Sequence, residues 1–124
     1  MMRRGCVICA LVAVIEAGCR AGVYRDAMEA TGGDPARGAA AVRRYGCDTC
    51  HTIPGVQTAQ ANVGPPLTAI AVRTYLAGEL PNNPANMQEW IRHPRAVEPR
   101  TAMPDTGVTE ADGRDIAAYL YTLR

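Results

Sequence analysis

Apolar positions along this chain recur with a helical period, and no run alternates long enough to make a useful strand. Asp34-Pro35 is a cap followed by a proline suited to a first helical turn, so a helix is expected from there to about Arg44. Ala39, Val42 and Tyr45, or Gly38 and Val42, fall on one side of it, and Gly46 ends it. Residues 52–64 hold Pro54, Gly55 and Gly64 and read as loop. A short helix is expected within residues 67–77, ending at Gly78. Asn83-Pro84 repeats the cap-plus-proline start, with Met87, Trp90 and Ile91 on one face, and Pro94 closes that helix by His93. Residues 94–107 read as an extended, proline-punctuated loop. The last helix should run from Thr109 to Leu123, with Asp112 as a weak capping partner and Ile116, Tyr119, Leu120 and Leu123 as its stripe. Gly113 weakens it by about 1 kcal/mol relative to Ala. The expected fold is all-α, three to five short helices joined by long loops.

The first residues follow a different pattern. Arg3 and Arg4 precede a continuous apolar run over residues 6–15, and Ala17 and Gly18 then precede Cys19. Residues 1–18 therefore read as an export signal, and the run is about half of the ~20 residues a membrane-spanning helix needs. The chain is expected to be exported, either periplasmic or anchored at the membrane facing the periplasm or cell exterior. Ala17-Gly18-Cys19 resembles the end of a bacterial lipoprotein signal, which would place a lipidated Cys19 at the membrane surface. Glu16 departs from that pattern, and ordinary cleavage near Ala21 is the equal alternative. Cys6-Val7-Ile8-Cys9 lies inside the leader and is followed by Ala10, so no metal or redox site is expected there. Residues 19–33 read as a linker and residues 34–124 as the domain.

With 124 residues there is room for a single domain beside the leader. The core is short of bulk, with no Phe and one Trp, and a large buried cofactor would supply missing apolar volume. The 13 basic residues are all Arg, scattered along a chain of formal charge +1, which drops to near zero without the leader. That excludes a nucleic-acid-binding surface.

Cys47-Asp48-Thr49-Cys50-His51 decides the chemistry. Cys-x-x-Cys-His is the attachment signature of haem c. Two intervening residues bring both thiols to adjacent vinyl groups of one porphyrin, and the next residue offers its imidazole to the iron as the proximal axial ligand. A zinc site would need a second pair of ligands, which the chain after the leader lacks. A dithiol redox pair would need a βαβ setting, which the pattern also lacks.

Residues 34–124 resemble a class I cytochrome c, on four blocks in the family's order. Gly38 and Tyr119 suit the crossing of the family's terminal helices, and Cys47, Cys50 and His51 form the haem site. Gly64-Pro65-Pro66-Leu67 is similar to the family's Gly-Pro-x-Leu loop. The resemblance implies that the Pro65 carbonyl accepts a hydrogen bond from Nδ1 of His51, fixing its tautomer and raising its basicity. It also implies that Arg73 lies near a haem propionate, with a solvated surface Arg as the plain alternative. The fourth block runs from Trp90 through Pro94, Pro99 and Thr101 to Met103-Pro104, with Arg100 where the family commonly has Gly. By resemblance Met103 is the distal ligand and Trp90 lines the distal side. Met87 and His93 are the rival ligands, Met87 reading as core and His93 as a surface residue at a helix end.

Filled by His51 and Met103, the iron would have no open position, and the implied function is electron transfer between redox proteins without bond-making catalysis. A second reading is a haem subunit of an oxidase or dehydrogenase complex. The stretch from Leu80-Pro81-Asn82-Asn83-Pro84 to Met103-Pro104 looks like cytochrome c domains fused to oxidase subunit II. A ligand-binding or peroxidase-like protein is the third reading and requires Met103 to be away from the iron.

Overall fold

Asp34 opens the domain by turning its Oδ1 onto the backbone N–H groups of Ala36 and Arg37, at 2.8 and 3.0 Å. Those donors have no partner within a helix, so the carboxylate completes the helix start. The computed structural model describes residues 4–56 and 61–124, with side chains from residue 18 onward. Arg3 of the expected leader and residues 57–60 of the expected loop lie outside the described residues.

Five α-helices occur among the described residues: α1 Arg4–Thr31, α2 Pro35–Arg44, α3 Pro84–Arg92, α4 Pro94–Val97 and α5 Glu110–Tyr121. Two 3-10 turns, Cys47–Thr49 and Ile70–Val72, and a hairpin of two-residue strands, β1 Tyr75–Leu76 and β2 Leu80–Pro81, are the other elements among the described residues. Among the described residues no helix is long and apolar enough to cross a membrane. The all-α expectation holds, and each of the three capped helices begins where its cap placed it. Asn83 Oδ1 accepts from Asn86 N at 2.9 Å, and Thr109 Oγ1 accepts from Asp112 N at 3.2 Å.

Three expectations need correction. Residues 19–33, read as a linker, are helical through Thr31, and the end of α1 is docked on the domain. Ala27 and Thr31 are buried, and Gln88 Nε2 on α3 donates to the Thr31 carbonyl at 3.3 Å. Small residues make the approach possible: a β-carbon on Gly33 would fall 2.1 Å from the Arg114 carbonyl oxygen. Residues 67–77 form a 3-10 turn and the start of the hairpin instead of a helix. Within residues 94–107, Pro94 ends one helix and begins another, because a proline is tolerated at a first helical position.

α2 and α5 cross at Gly38, where a β-carbon would lie 1.9 Å from the Asp115 carbonyl oxygen and 2.8 Å from Tyr119 Cβ. Asp115 is buried, and it receives Asp34 N at 2.7 Å and Arg37 through Nε at 2.7 Å and Nη2 at 3.0 Å. One carboxylate thus ties the start of α2 to α5. Around the crossing, Val42, Met87, Ile91, Ile116 and Leu120 form the core, the first two at 1% exposure.

Candidate haem site

Gly46 leaves α2 in the left-handed region at φ 70°, where a residue without a β-carbon is at ease, and the chain tightens into the Cys47–Thr49 turn. Thr49 Oγ1 donates to the Gly46 carbonyl at 2.7 Å, and His51 N to the Cys47 carbonyl at 3.0 Å. The turn holds both thiols and the imidazole on one short segment. Cys47 and Cys50 form no disulfide among the described residues, and burial, reinforced by Asp48, pushes the Cys47 thiol above its ordinary pKa.

Two backbone bonds lace the loop before Leu67 to the motif: Gly64 N donates to Cys50 O at 2.8 Å and Leu67 N to Thr52 O at 2.9 Å. Between them, His51 Nδ1 stands 2.7 Å from the Pro65 carbonyl oxygen. A proline carbonyl can only accept, so Nδ1 carries the proton and Nε2 keeps its lone pair for a metal. Gly64 lies against the same ring, and a β-carbon there would be 2.3 Å from Cε1.

Cys47, Cys50, His51 and Pro65 line a cavity of roughly 340 Å³, as do Arg73, Trp90, Thr101 and Met103. Every residue expected at the site from sequence therefore borders one space. The rest of the lining is mostly apolar, from Val42, Ile53, Ile70, Met87, Ile116 and Leu120. Of the rival ligands, Met87 is a fully buried core residue that also borders the cavity, while His93 is exposed and is not among the lining residues. Thr101 Oγ1 accepts from Met103 N at 3.1 Å, a local turn that holds the methionine's backbone. Arg73 is anchored through Nη2 to the carbonyls of Pro66 and Thr68, the latter at 3.0 Å. Among the described residues its Nε and Nη1 make no hydrogen bond, which leaves them for a carboxylate.

Sequence reasoning passed over Glu98 and Tyr75, which also line the cavity, and Asn82, which braces its loop. Asn82 carries no local signal, since it stands beside Asn83, whose role as a helix cap is the visible one.

The sequence model of the family described as Cytochrome c matches residues 35–124. The chain belongs to the cytochrome c family. A cytochrome c domain carries haem c and serves haem-based electron transfer, and the site fits that cofactor: paired thiols, an imidazole with its Nε2 lone pair free, a thioether and an apolar space. Two curated proteins are similar over part of this cytochrome c. A 79-residue stretch is 35% identical to cytochrome c oxidase subunit 2 of Alkalihalophilus pseudofirmus (strain ATCC BAA-2126 / JCM 17055 / OF4), covering 63% of this chain and 22% of that protein. An 88-residue stretch is 30% identical to cytochrome c oxidase subunit 2 of Bacillus sp. (strain PS3), covering 68% of this chain and 25% of that protein. The cytochrome c thus spans about a quarter of the length of these relatives. No solved structure matches it significantly.

Proposed function

We propose that this chain holds one haem c through thioether bonds from Cys47 and Cys50, with His51 and Met103 as axial ligands, and passes electrons between exported or membrane-bound redox proteins. The observation that carries the reading is the 2.7 Å contact of His51 Nδ1 with the Pro65 carbonyl, beside a cavity that Cys47, Cys50 and Met103 share. When bound, the haem iron supplies a one-electron couple, and a methionine ligand favours a high potential. The protein's own part is positioning. His51 donates Nδ1–H to Pro65, Thr101 braces Met103, and the apolar lining excludes water. Arg73 and Trp90 border the same space, where a guanidinium and an indole N–H can meet propionates. With both axial positions taken by His51 and Met103, no substrate would reach the iron.

The mature protein should keep its haem through denaturing electrophoresis and acid-acetone extraction, and Cys47→Ala and Cys50→Ala should accumulate poorly. Haem that extracts freely from the wild type overturns covalent attachment. Binding of carbon monoxide to the reduced wild type would instead favour a ligand-binding or peroxidase-like protein.

A second reading, a haem subunit of an oxidase or dehydrogenase complex, is favoured by the two oxidase subunit 2 relatives. Co-purification with a larger assembly separates it from a discrete carrier. For the N-terminus we propose export directed by residues 1–18, with Cys19 as the candidate lipidation site. Cys19 is exposed and stands eight residues before the docked Ala27, about 12 Å along a helix. A lipid on Cys19 would hold the domain close to the bilayer on a stiff helix, unlike a flexible linker.

A further inference from the structure

The loop that contacts His51 is tied to the far end of α5 through one side chain. Asn82 spends both amide N–H groups on main-chain carbonyls, Ile70 O and Arg73 O, each at 2.8 Å, and its Oδ1 accepts from the Tyr121 hydroxyl at 2.8 Å. Ile70 and Arg73 bracket the 3-10 turn, so the amide fixes both ends of it. With both donors and the oxygen engaged, Asn82 has little freedom to relax. The turn delivers Arg73, whose Nη2 reaches back to the Pro66 carbonyl.

Pro65 and Pro66 have no N–H, so their carbonyl oxygens are the only main-chain hydrogen-bonding groups at those two positions. One carbonyl meets His51 and the other meets Arg73. Any looseness in Arg73 is therefore felt at the peptide unit next to the His51 contact.

We propose that Asn82 and Tyr121 are positioning residues for His51, acting through Arg73 and the Pro66 carbonyl to hold the Pro65 carbonyl on Nδ1. The proposal rests on the reading of His51 as an axial ligand. A firm Nδ1–H···O bond raises the basicity of the imidazole and favours the oxidised iron. Loosening the chain should therefore raise the reduction potential while leaving the ligands in place.

The test uses the full haem-loaded chain. Tyr121→Phe removes one oxygen, and Asn82→Asp keeps an acceptor for Tyr121 while losing both donors. Both variants should keep the wild-type visible spectrum, and exchange of the His51 Nδ1 proton, followed by NMR, should quicken about tenfold. The equilibrium should also shift about threefold toward ferrous, roughly 28 mV at 59 mV per tenfold. Arg73→Lys, which keeps a cationic donor near Pro66, should fall between wild type and Arg73→Ala on both readouts. A residue that merely braces the turn would lower the unfolding midpoint and move neither the exchange rate nor the potential, and that result overturns the proposal. A wild-type spectrum without histidine ligation overturns the axial-ligand reading itself, and the proposal with it.

Discussion

Gly64 lies flat against the imidazole of His51, with room for no side chain: an added β-carbon would sit 2.3 Å from Cε1, 2.6 Å from Nδ1 and 2.8 Å from Nε2. Its N–H is also fixed, on the Cys50 carbonyl at 2.8 Å. Gly64→Ala must therefore push the ring away from Pro65 or break the backbone bond to Cys50. It should destabilise the protein by about 1–3 kcal/mol, as overpacking generally does. Haem incorporation, read from the absorbance of purified protein, should fall in parallel. Normal incorporation together with an unshifted unfolding midpoint would show that the ring can give way.

The distal ligand can be separated from its neighbour in the core. Met103 lines the cavity on a loop braced by Thr101, whereas Met87 is 1% exposed among core residues. Met103→Ala should abolish the weak far-red band of sulfur-to-ferric-iron ligation with modest loss of stability. Met87→Ala should keep the band and cost about 2–5 kcal/mol, the range for truncating a buried methionine. If the band survives loss of Met103, another residue is the ligand.

The Cys47–His51 pentapeptide is contiguous, so its chemistry needed no fold to be recognised. Asp34, Asn83 and Thr109 announce their helices because a cap acts within a few residues of itself. Pro65 and Met103 came through resemblance to a family, since nothing local says where their partners lie. The docked end of α1 was missed because Gly22 and the Gly32-Gly33 pair have the composition of a linker. Gly33 in fact serves close packing, against the Arg114 carbonyl. The turn over Ile70–Val72 was mistaken for a helix because its shape depends on Asn82 and on Leu123, whose carbonyl accepts Ala71 N at 3.1 Å. Both contacts are distant in sequence.

Acid should weaken the α2–α5 crossing through Asp115. Its hydrogen bonds from Arg37, helped by that from Asp34 N–H, hold its carboxyl below the usual carboxylate range, against the opposing effect of burial. The folded carboxylate thus stays charged at pH values where the unfolded one, near pKa ~3.9, is already protonated. Its contribution is complete above that unfolded value and is lost as pH falls through the lower folded one. Asp115→Asn should cost about 1–3 kcal/mol at neutral pH, and the difference from wild type should shrink below pH ~4. A pH-independent difference would mean that the charge of Asp115 contributes nothing.

The docking of α1 makes truncation informative. A chain beginning at Cys19 keeps Ala27 and Thr31 in place, whereas one beginning at Asp34 loses both buried residues and the Gln88 bond. The shorter chain should be less stable by about 1–2 kcal/mol, the size of one small apolar contact and one hydrogen bond. Its haem spectrum should be unchanged, because no described side chain of α1 lines the cavity. Equal denaturant midpoints would show that α1 rests on the domain without holding it.

Encounter with a redox partner should depend little on salt. The chain has no Lys and a formal charge of +1, so it offers no ring of positive charge to steer a partner from a distance. What it exposes beside the cavity includes large apolar side chains, with Val63 at 71% and Tyr75 at 57%. A small contact of that kind suits rapid release, and its attraction is short-ranged and unscreened. Electron-transfer rates with the physiological partner should change less than about threefold as salt is raised, where steered pairs change ten- to a thousandfold. If Cys19 is lipidated, confinement at the membrane takes the place of steering by raising local concentration. Cys19→Ser should then slow membrane-linked turnover while leaving the isolated domain's spectrum and potential unchanged. A steep fall in rate on adding salt would refute the first expectation, and a soluble, unlipidated wild-type protein the second.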